Sequence, residues 1–345
     1  MFPLTGGASC AFDTSFTITG ADNPSIAIQQ PYLYLTLGGA DSLKIYNIVD
    51  PANPSLLSTT SLPASCGAYA IRIYYPYLYI CYRTSNTVAI WDVTDPAAPT
   101  LTGSIVIGGA PPGGRAPWGV AKNGNYVAVA GASAIGQAST TIQGTKLDVT
   151  NPASPSIVDT WSYDGSSLYS AGWVETYGSH FYFTINITGA HRLVSVDVAN
   201  FNTIDNVALS APTGGGAARL CIGKSGTRAY VNSSAAGILD TVDISDPTNI
   251  TLLNSLTAAA STASNTPLNP IAFREGTSTV YFGNFSGSSS VRVINATTDT
   301  PTNSTTISSG SDGQTDIVVV DDACLSLAFS VIGGSKVFLI GTPST

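Results

Sequence analysis

Tyr77 to Ile107 reads YLYICYRTSNTVAIWDVTDPAAPTLTGSIVI. It holds two alternating apolar runs separated by a short turn, then a DPxxP corner and a further short run. Such a pattern describes antiparallel strands joined by tight connections. The rest of the chain repeats it with variations, and a fixed period of this length marks a stacked or radial architecture.

The residue that ends the third run of each copy sets the phase: Asn47, Asp92, Asp148, Asp197, Asp243, Asn295 and, in a degenerate copy, Gly341. Successive spacings are 45, 56, 49, 46, 52 and 46, so seven units fill the chain. Corners follow four of these markers as NIVDPANP, DVTDPAAP, DVTNPASP and DISDPTNI, whereas those at Asp197 and Asn295 have decayed. Four residues before the markers stand Leu43, Val88, Gly144, Leu193, Leu239, Val291 and Val337; one residue before stand Tyr46, Trp91, Leu147, Val196, Val242, Ile294 and Ile340. Both parities are apolar apart from Gly144, the condition of a strand covered on both faces. Two further strands precede each such strand, as at Trp118 to Lys122 and Tyr126 to Ala130 across NGN. A fourth follows the corner, beginning near proline, which suits an outer edge because proline cannot donate to a ladder.

Each unit is therefore expected to be a four-stranded antiparallel sheet. The whole of 1–345 is expected to be one all-β domain, a seven-bladed β-propeller. The last unit lacks a fourth strand, and residues 12–19 (FDTSFTIT) are a spare strand expected to close the ring beside Lys336 to Ile340. Closure would remove an open edge, a known route to aggregation.

The strand LVSVD at Leu193 to Asp197, with LKIYNIVDP and VAIWDVTDP, resembles the LVIVD-repeat family of β-propellers. The resemblance spans the chain and is most specific in units one, two, three and five. It implies the propeller fold and the secreted or cell-surface setting common in that family. It implies no shared reaction and carries over no functional residue.

Composition narrows the function classes. Charged residues make up 10% of the chain, against about 25% in ordinary globular proteins. Such a surface fits a protein covered by glycan or packed against neighbours. The net charge of -8 repels a phosphate backbone, so nucleic acid is not an expected partner. No apolar run reaches the roughly 18 residues that a membrane-spanning helix needs, and the start MFPLTGGASC has no signal-peptide pattern.

The recurring Asp and Asn, among them Asp50, Asp95, Asn151 and Asp246, read as caps of their own turns rather than as a ring of catalytic carboxylates. His180 and His191 fall at opposite ends of unit four and should form no relay. Glu175 and Glu275 are the only glutamates, and the spacing reveals no acid–base pair. No GxSxG, HExxH or P-loop motif occurs. Asp312 to Asp316, and Asp321 with Asp322, lack the ligand spacing of a calcium loop. No enzyme activity, metal or cofactor is expected.

Long loops at 108–117, 131–144 and 258–270 belong on the face where inner strands begin. There Arg115 and Trp118 are candidates for an aromatic plate beside a cationic fork, suited to a glycan or a partner chain. The competing reading packs Trp118 between sheets. Glycosylation sequons stand at Asn186, Asn232, Asn249, Asn284, Asn295 and Asn303, all in the second half. Of five cysteines, Cys66 with Cys81 and Cys10 with Cys324 are candidate disulfides.

The expected function is a non-enzymatic structural and interaction propeller, extracellular or on a cell or virion surface, glycosylated and part of a repetitive assembly. Its partners would be copies of itself, other surface proteins or glycans, without membrane insertion. A monomeric lectin-like propeller and a propeller hydrolase or lyase are the alternatives.

Overall fold

The computed structural model describes residues 2–3, 9–10, 14–17, 25–50, 53–108, 115–133, 139–187, 190–210, 219–223, 225–233, 238–257, 271–276, 278–283, 290–298, 300–306, 314–319, 327–331 and 336–340. All regular elements among them are strands. A ribbon of β1 (Phe2–Pro3) and β2 (Ser9–Cys10) precedes β3 (Thr14–Thr17). The first large sheet contains β4 (Ser25–Gln29), β5 (Tyr32–Leu37), β6 (Ser42–Asn47) and β7 (Ser55–Ser61). The second contains β8 (Ala68–Tyr74), β9 (Tyr77–Tyr82), β10 (Thr87–Asp92) and β11 (Thr100–Val106).

A seven-stranded sheet follows: β12 (Arg115–Asn123), β13 (Tyr126–Ser133), β14 (Ser139–Asp148), β15 (Ser156–Tyr177), β16 (His180–Ile187), β17 (Ala190–Asp197) and β18 (Thr203–Ala208). Next are β19 (Arg219–Gly223), β20 (Arg228–Ser233), β21 (Ile238–Asp243) and β22 (Thr251–Thr257), then β23 (Ile271–Arg274), β24 (Thr279–Gly283), β25 (Ser290–Asn295) and β26 (Thr300–Thr306). The last sheet orders β27 (Gln314–Val319), β28 (Leu327–Val331), β29 (Lys336–Ile340) and then β3. Strand β3 runs antiparallel to β29, with Thr14 opposite Leu339 and Thr17 opposite Lys336.

The propeller has six sheets, not the seven separate blades that the markers predict. The difference lies in β15, a continuous strand of 22 residues. Its first part pairs with β14 and its second with β16, and Leu168 lies opposite both Ser139 and Ile187. The sequence YDGSSLYSAG offers no proline to break the ladder, so the outer strand of the third repeat runs on as the inner strand of the fourth. Seven strands consequently face the axis of six sheets. In order, β4, β8, β12, β15, β19, β23 and β27 each pack on the next, and β27 packs on β4.

Burial on both faces holds these layers together. In β9 the consecutive residues Leu78, Tyr79, Ile80 and Cys81 are all fully buried. Tyr79 and Cys81 join one apolar layer while Leu78 and Ile80 join another. A tyrosine recurs at the centre of the second strand as Tyr34, Tyr79, Tyr182, Tyr230 and Tyr281, each essentially inaccessible to solvent. Burial pushes the Tyr34 and Tyr182 hydroxyls up to about 12. Two departures from the repeat also find their cause here. Gly144 leaves room for Phe183, whose ring stacks on Trp161 at 5.0 Å. Lys146 is buried, but its Nζ donates to the Ala199 carbonyl at 2.9 Å and lies over the Tyr126 ring.

The markers cap their own turns. The N–H groups of Val49, Thr94, Thr150, Ser245 and Thr297 donate to the side chains of Asn47, Asp92, Asp148, Asp243 and Asn295, at 2.8 to 2.9 Å. Side-chain and backbone donors of Thr94, Thr150 and Ser245 hold the Asp92, Asp148 and Asp243 carboxyls below the usual carboxylate range. One residue before each of these markers, and before Asp197, the ladder to the outer strand contains a β-bulge. A bulge adds local twist, and here it falls where the sheet turns into its corner.

The corner also ties neighbouring repeats together. The Ser58 hydroxyl donates to the Pro96 carbonyl at 2.8 Å, and the Ser195 hydroxyl to the Pro247 carbonyl at 2.7 Å. At the corresponding Pro152 carbonyl the neighbour is Gly103, where a Cβ would collide with the oxygen.

Gly103→Ala should therefore destabilise the fold by about 1–3 kcal/mol, the usual range for overpacking, whereas Ser104→Ala at an exposed position should be nearly neutral; urea unfolding measures both. The sign of the pH effect follows from the lowered marker carboxyls: their contribution is present above the unfolded value of about 4 and is lost as pH falls through the folded values. Replacing Asp92, Asp148 and Asp243 together by Asn, which already serves at 47 and 295, should flatten the dependence of stability on pH below about 4 in acid titrations.

Candidate functional site

The inner strands enclose a cavity of about 730 Å³ on the axis, at the end where they finish. Strands β4, β8, β15, β19 and β23 supply its walls. That end is opposite to the one on which the sequence places the long loops.

Among the described residues, three charged side chains line the cavity: Arg72, Glu175 and Glu275. Arg72 on β8 donates through Nη2 to Glu175 Oε1 on β15 at 2.7 Å, although β12 stands between those strands. Glu175 Oε1 also accepts from Trp173 Nε1 at 2.9 Å. The Trp173 ring carries two guanidinium groups, Arg72 at 4.8 Å and Arg219 at 4.2 Å. Gly119 on β12 makes this crossing possible, since a Cβ there would press at 3.1 Å on the indole. The assembly is a crossbar: an aromatic plate, two cations and a carboxylate spanning one side of the channel.

Glu275 follows β23 directly. Its Oε1 accepts from the Ser225 hydroxyl at 2.8 Å and also from the Ser225 N–H. Between the two glutamates lies β19 with Cys221, whose thiol is pushed well above its ordinary value, by burial first and by the Glu175 charge second. It therefore stays protonated at neutral pH and is a poor nucleophile. At the rim Tyr177 is 46% exposed, and its ring occupies the space that a Cβ on Gly226 would take.

The glutamates escape a motif search because 100 residues separate them. A signal is nevertheless present in the repeat phase: Arg72 and Glu275 each precede their marker by 20 residues, and Glu175 precedes its marker by 22. Charged residues at one phase of a propeller repeat meet at one level of the channel.

The sites expected from sequence fare differently. Trp118 is only 6% exposed, set edge-on to Tyr69 at 5.1 Å, so it is an inter-sheet packing residue and not a binding plate. The guanidinium over its ring is that of Arg83, at 4.4 Å. Arg115 opens β12 opposite Ser133. The loop residues 109–114, 134–138 and 258–270 lie outside the described residues.

Cys66 and Cys81 are free thiols and form no disulfide. They belong to different apolar layers, on opposite sides of the second sheet, and Cys66 Sγ instead donates to Asp41 at 3.4 Å. Cys10 lies in β2, whereas Cys324 falls outside the described residues.

Among the sequons, Asn232 is 1% exposed within β20 and inaccessible to a glycosyltransferase in the folded state. Asn295 is engaged in its turn, accepting from Thr297 and Thr298. Asn249 is exposed beside a corner, Asn186 lies in β16 and Asn303 in β26, and Asn284 is outside the described residues. His180 and His191 sit at opposite ends of the β16–β17 hairpin. No group of three His, Cys, Asp or Glu side chains fit to hold a metal occurs among the described residues. Asp312, Asp321 and Asp322 lie outside them.

Residues 67–106 and 217–258 match the LVIVD repeat, which places the repeat in the second sheet and in the sheet of β19 to β22. No curated protein matches the chain in sequence. Among solved structures, the β-propeller domain of Cps50 (Swd1) from Myceliophteria thermophila is similar with a TM-score of 0.65 at 14% identity, over 97% of this chain and all of that one. At that identity the likeness is one of fold.

Cutting the crossbar should be measurable. In a double-mutant cycle of Arg72→Met and Glu175→Gln, the coupling energy is expected near 1 kcal/mol, as for a partly exposed pair. A coupling of zero in chemical denaturation would mean that the contact adds nothing to the ring.

Proposed function

We propose that this protein, a β-propeller carrying LVIVD repeats, is a non-enzymatic interaction module that associates with copies of itself or with other surface proteins through its outer rim. The observation that carries this reading is the chemistry of the outer strands. Leu56 in β7, Leu101 and Val106 in β11, Ile157 and Val158 in β15, Ile204 in β18 and Leu253 in β22 are exposed aliphatic residues at related positions of successive repeats. Strands β7, β11, β18, β22 and β26 each end their sheet, and none contains Lys, Arg or Glu.

Solitary propellers guard such edges with charge, most often lysine, because a free edge pairs with another chain. An unguarded, aliphatic and Ser/Thr-rich rim suits strand-to-strand association instead. A charged content of 10% supports the same reading, since little ionic repulsion keeps copies apart. An extracellular, cell-surface or virion-surface setting and glycosylation belong to the proposal, with Asn249 as the sequon best placed to be modified.

The lectin-like alternative loses its aromatic plate with the burial of Trp118. The hydrolase or lyase alternative gains from the convergence of Glu175 and Glu275 on one cavity. Both carboxylates, however, are tied as acceptors, one to Arg72 and Trp173 and the other to Ser225, an arrangement suited to anchoring charge rather than donating a proton.

Light scattering and negative-stain microscopy on native material test the proposal. The expected result is an oligomer or lattice that Leu56→Lys, Leu101→Lys and Leu253→Lys together convert to monomer, with the thermal midpoint changed by no more than a few degrees. A monodisperse wild-type monomer at all concentrations overturns it. For glycosylation, intact mass after expression through a secretory pathway should fall by one glycan in Asn249→Gln.

A further inference from the structure

Asp240 stands apart from the repeat. Three residues before the other markers come Lys44, Ala89, Thr145, Val194, Arg292 and Phe338, so the fold asks for no acid at this phase. Asp240 is nevertheless fully buried in β21. A buried carboxylate is costly unless it is paired or becomes neutral. We infer that Asp240 is a proton-operated latch between the seven-stranded sheet and the sheet of β19 to β22, holding that joint harder in mild acid than at neutral pH.

Three elements meet at this carboxyl. Ser255 of β22 lies opposite Asp240 in the ladder, and its hydroxyl donates to Oδ1 at 2.5 Å. From the preceding sheet the Ser210 N–H, just beyond β18, donates to Oδ2 at 3.0 Å. The segment carrying Ser210 is itself fixed to that sheet, since the Leu209 N–H donates to the His191 carbonyl of β17 at 2.8 Å. The two serine hydroxyls lie 2.6 Å apart, and both serines are exposed. The carboxyl thus ties the segment leaving one sheet to the outer strand of the next, with a hydroxyl pair leading from it to solvent.

The ionisable residues on the strands around it are Arg228 and Tyr230 on β20, His191, Arg192 and Asp197 on β17, Asp205 on β18 and Asp243 on β21 itself, while β22 has none. Arg228 and Asp243 face each other at the far end of their hairpin, Arg192 donates to Asn206 at 2.6 Å, and Asp205 accepts from the Ile250 N–H. Asp240 bonds to none of these groups, and none of their charges shifts its titration. The adjoining stretches 188–189, 211–218, 234–237 and 258–270 contain no ionisable side chain. Burial raises the carboxyl above its ordinary range, and the donors Ser255 and Ser210 pull it back only in part.

The hydroxyl pair serves both states. While the carboxyl is ionised, Ser255 donates to it and accepts from Ser210. On protonation from solvent, Oδ1–H donates to Ser255, Ser255 turns to donate to Ser210, and Oδ2 still accepts from the Ser210 N–H. No hydrogen bond is lost and the buried charge is gone. A carboxyl raised in the folded state holds its proton more tightly there than in the unfolded chain, where it titrates near 4. Stability from this group is therefore gained as pH falls through the folded value and is complete below about 4, opposite in direction to the marker carboxyls.

Carbon-13 NMR of the full chain labelled at its aspartate carboxyls tests the latch. One resonance, absent from Asp240→Asn, is expected to titrate above the ordinary value of about 4. Ser255→Ala removes a donor to the charged form and should move that resonance further up. Urea unfolding of wild type and Asp240→Asn supplies the second readout. Between neutral pH and about pH 4 the wild type should gain on the variant, by about tenfold in the unfolding constant for each unit that the carboxyl is raised. Should Asp240→Asn fail to fold, the resonance that moves in Ser255→Ala identifies the carboxyl and its titration decides. Titration at or below about 4, no resonance moved by Ser255→Ala, or a ratio of wild type to variant that is flat in pH or falls in acid would each overturn the proposal.

Discussion

Each sheet whose burial is described has to be covered on two sides at once. A blade whose middle strands bury Leu78, Tyr79, Ile80 and Cys81 in succession has no solvated face and so cannot exist alone. It needs a neighbour before it and another after it, and the only finite solution is a closed ring. Closure through β27 on β4, and through β3 on β29, follows from that demand. The shortage of charged residues follows as well, because most of the chain faces another part of the chain, and the outer strands β7, β11, β18, β22 and β26 are rich in hydroxyl residues and contain no Lys, Arg or Glu.

The corners turn this stack into a rigid one. An Asp or Asn caps the turn after the third strand, a bulge just before it adds twist, and the proline carbonyl of the next corner accepts from Ser58 or Ser195 or abuts Gly103. Local turn chemistry and contact between repeats thus occupy the same few residues. Decay of the corner after Asp197 is compensated in kind. There the Asp197 carboxylate accepts from the Asn200 N–H, and Asp205 of the following strand accepts from Ile250 N–H in the next sheet.

Much of the architecture was legible in the chain because a repeat restates each strand several times. The phase of the markers, the double-sided apolar strands and a closing strand, expected at 12–19 and found at Thr14–Thr17, could be read from it. The fusion of two repeats through β15 could not, since nothing in YDGSSLYSAG distinguishes a loop from a strand that continues. For the candidate site the limit was different. Arg72, Glu175 and Glu275 belong to three distant strands, and only the radial geometry brings them to one level of the axis. Trp118 and Arg115 looked like a plate and a fork because they are near in sequence, yet the residue over the indole is Arg83, delivered by the neighbouring sheet. Cys66 and Cys81 bracket one hairpin, but Cys66 lies in the connection before β8 and packs in one apolar layer, whereas Cys81 on β9 packs in the other.

The antiparallel pairing of β3 with β29 puts Thr14 beside Leu339. The start of β3 and the end of β29 therefore meet at the same end of a single sheet. A force drawing those two strand ends apart would act on the four paired residues of β3, parting that clasp like a zip, while the continuous β15 is well away along the chain. In mechanical terms the ring has a buckle on one side and an unbroken band on the other.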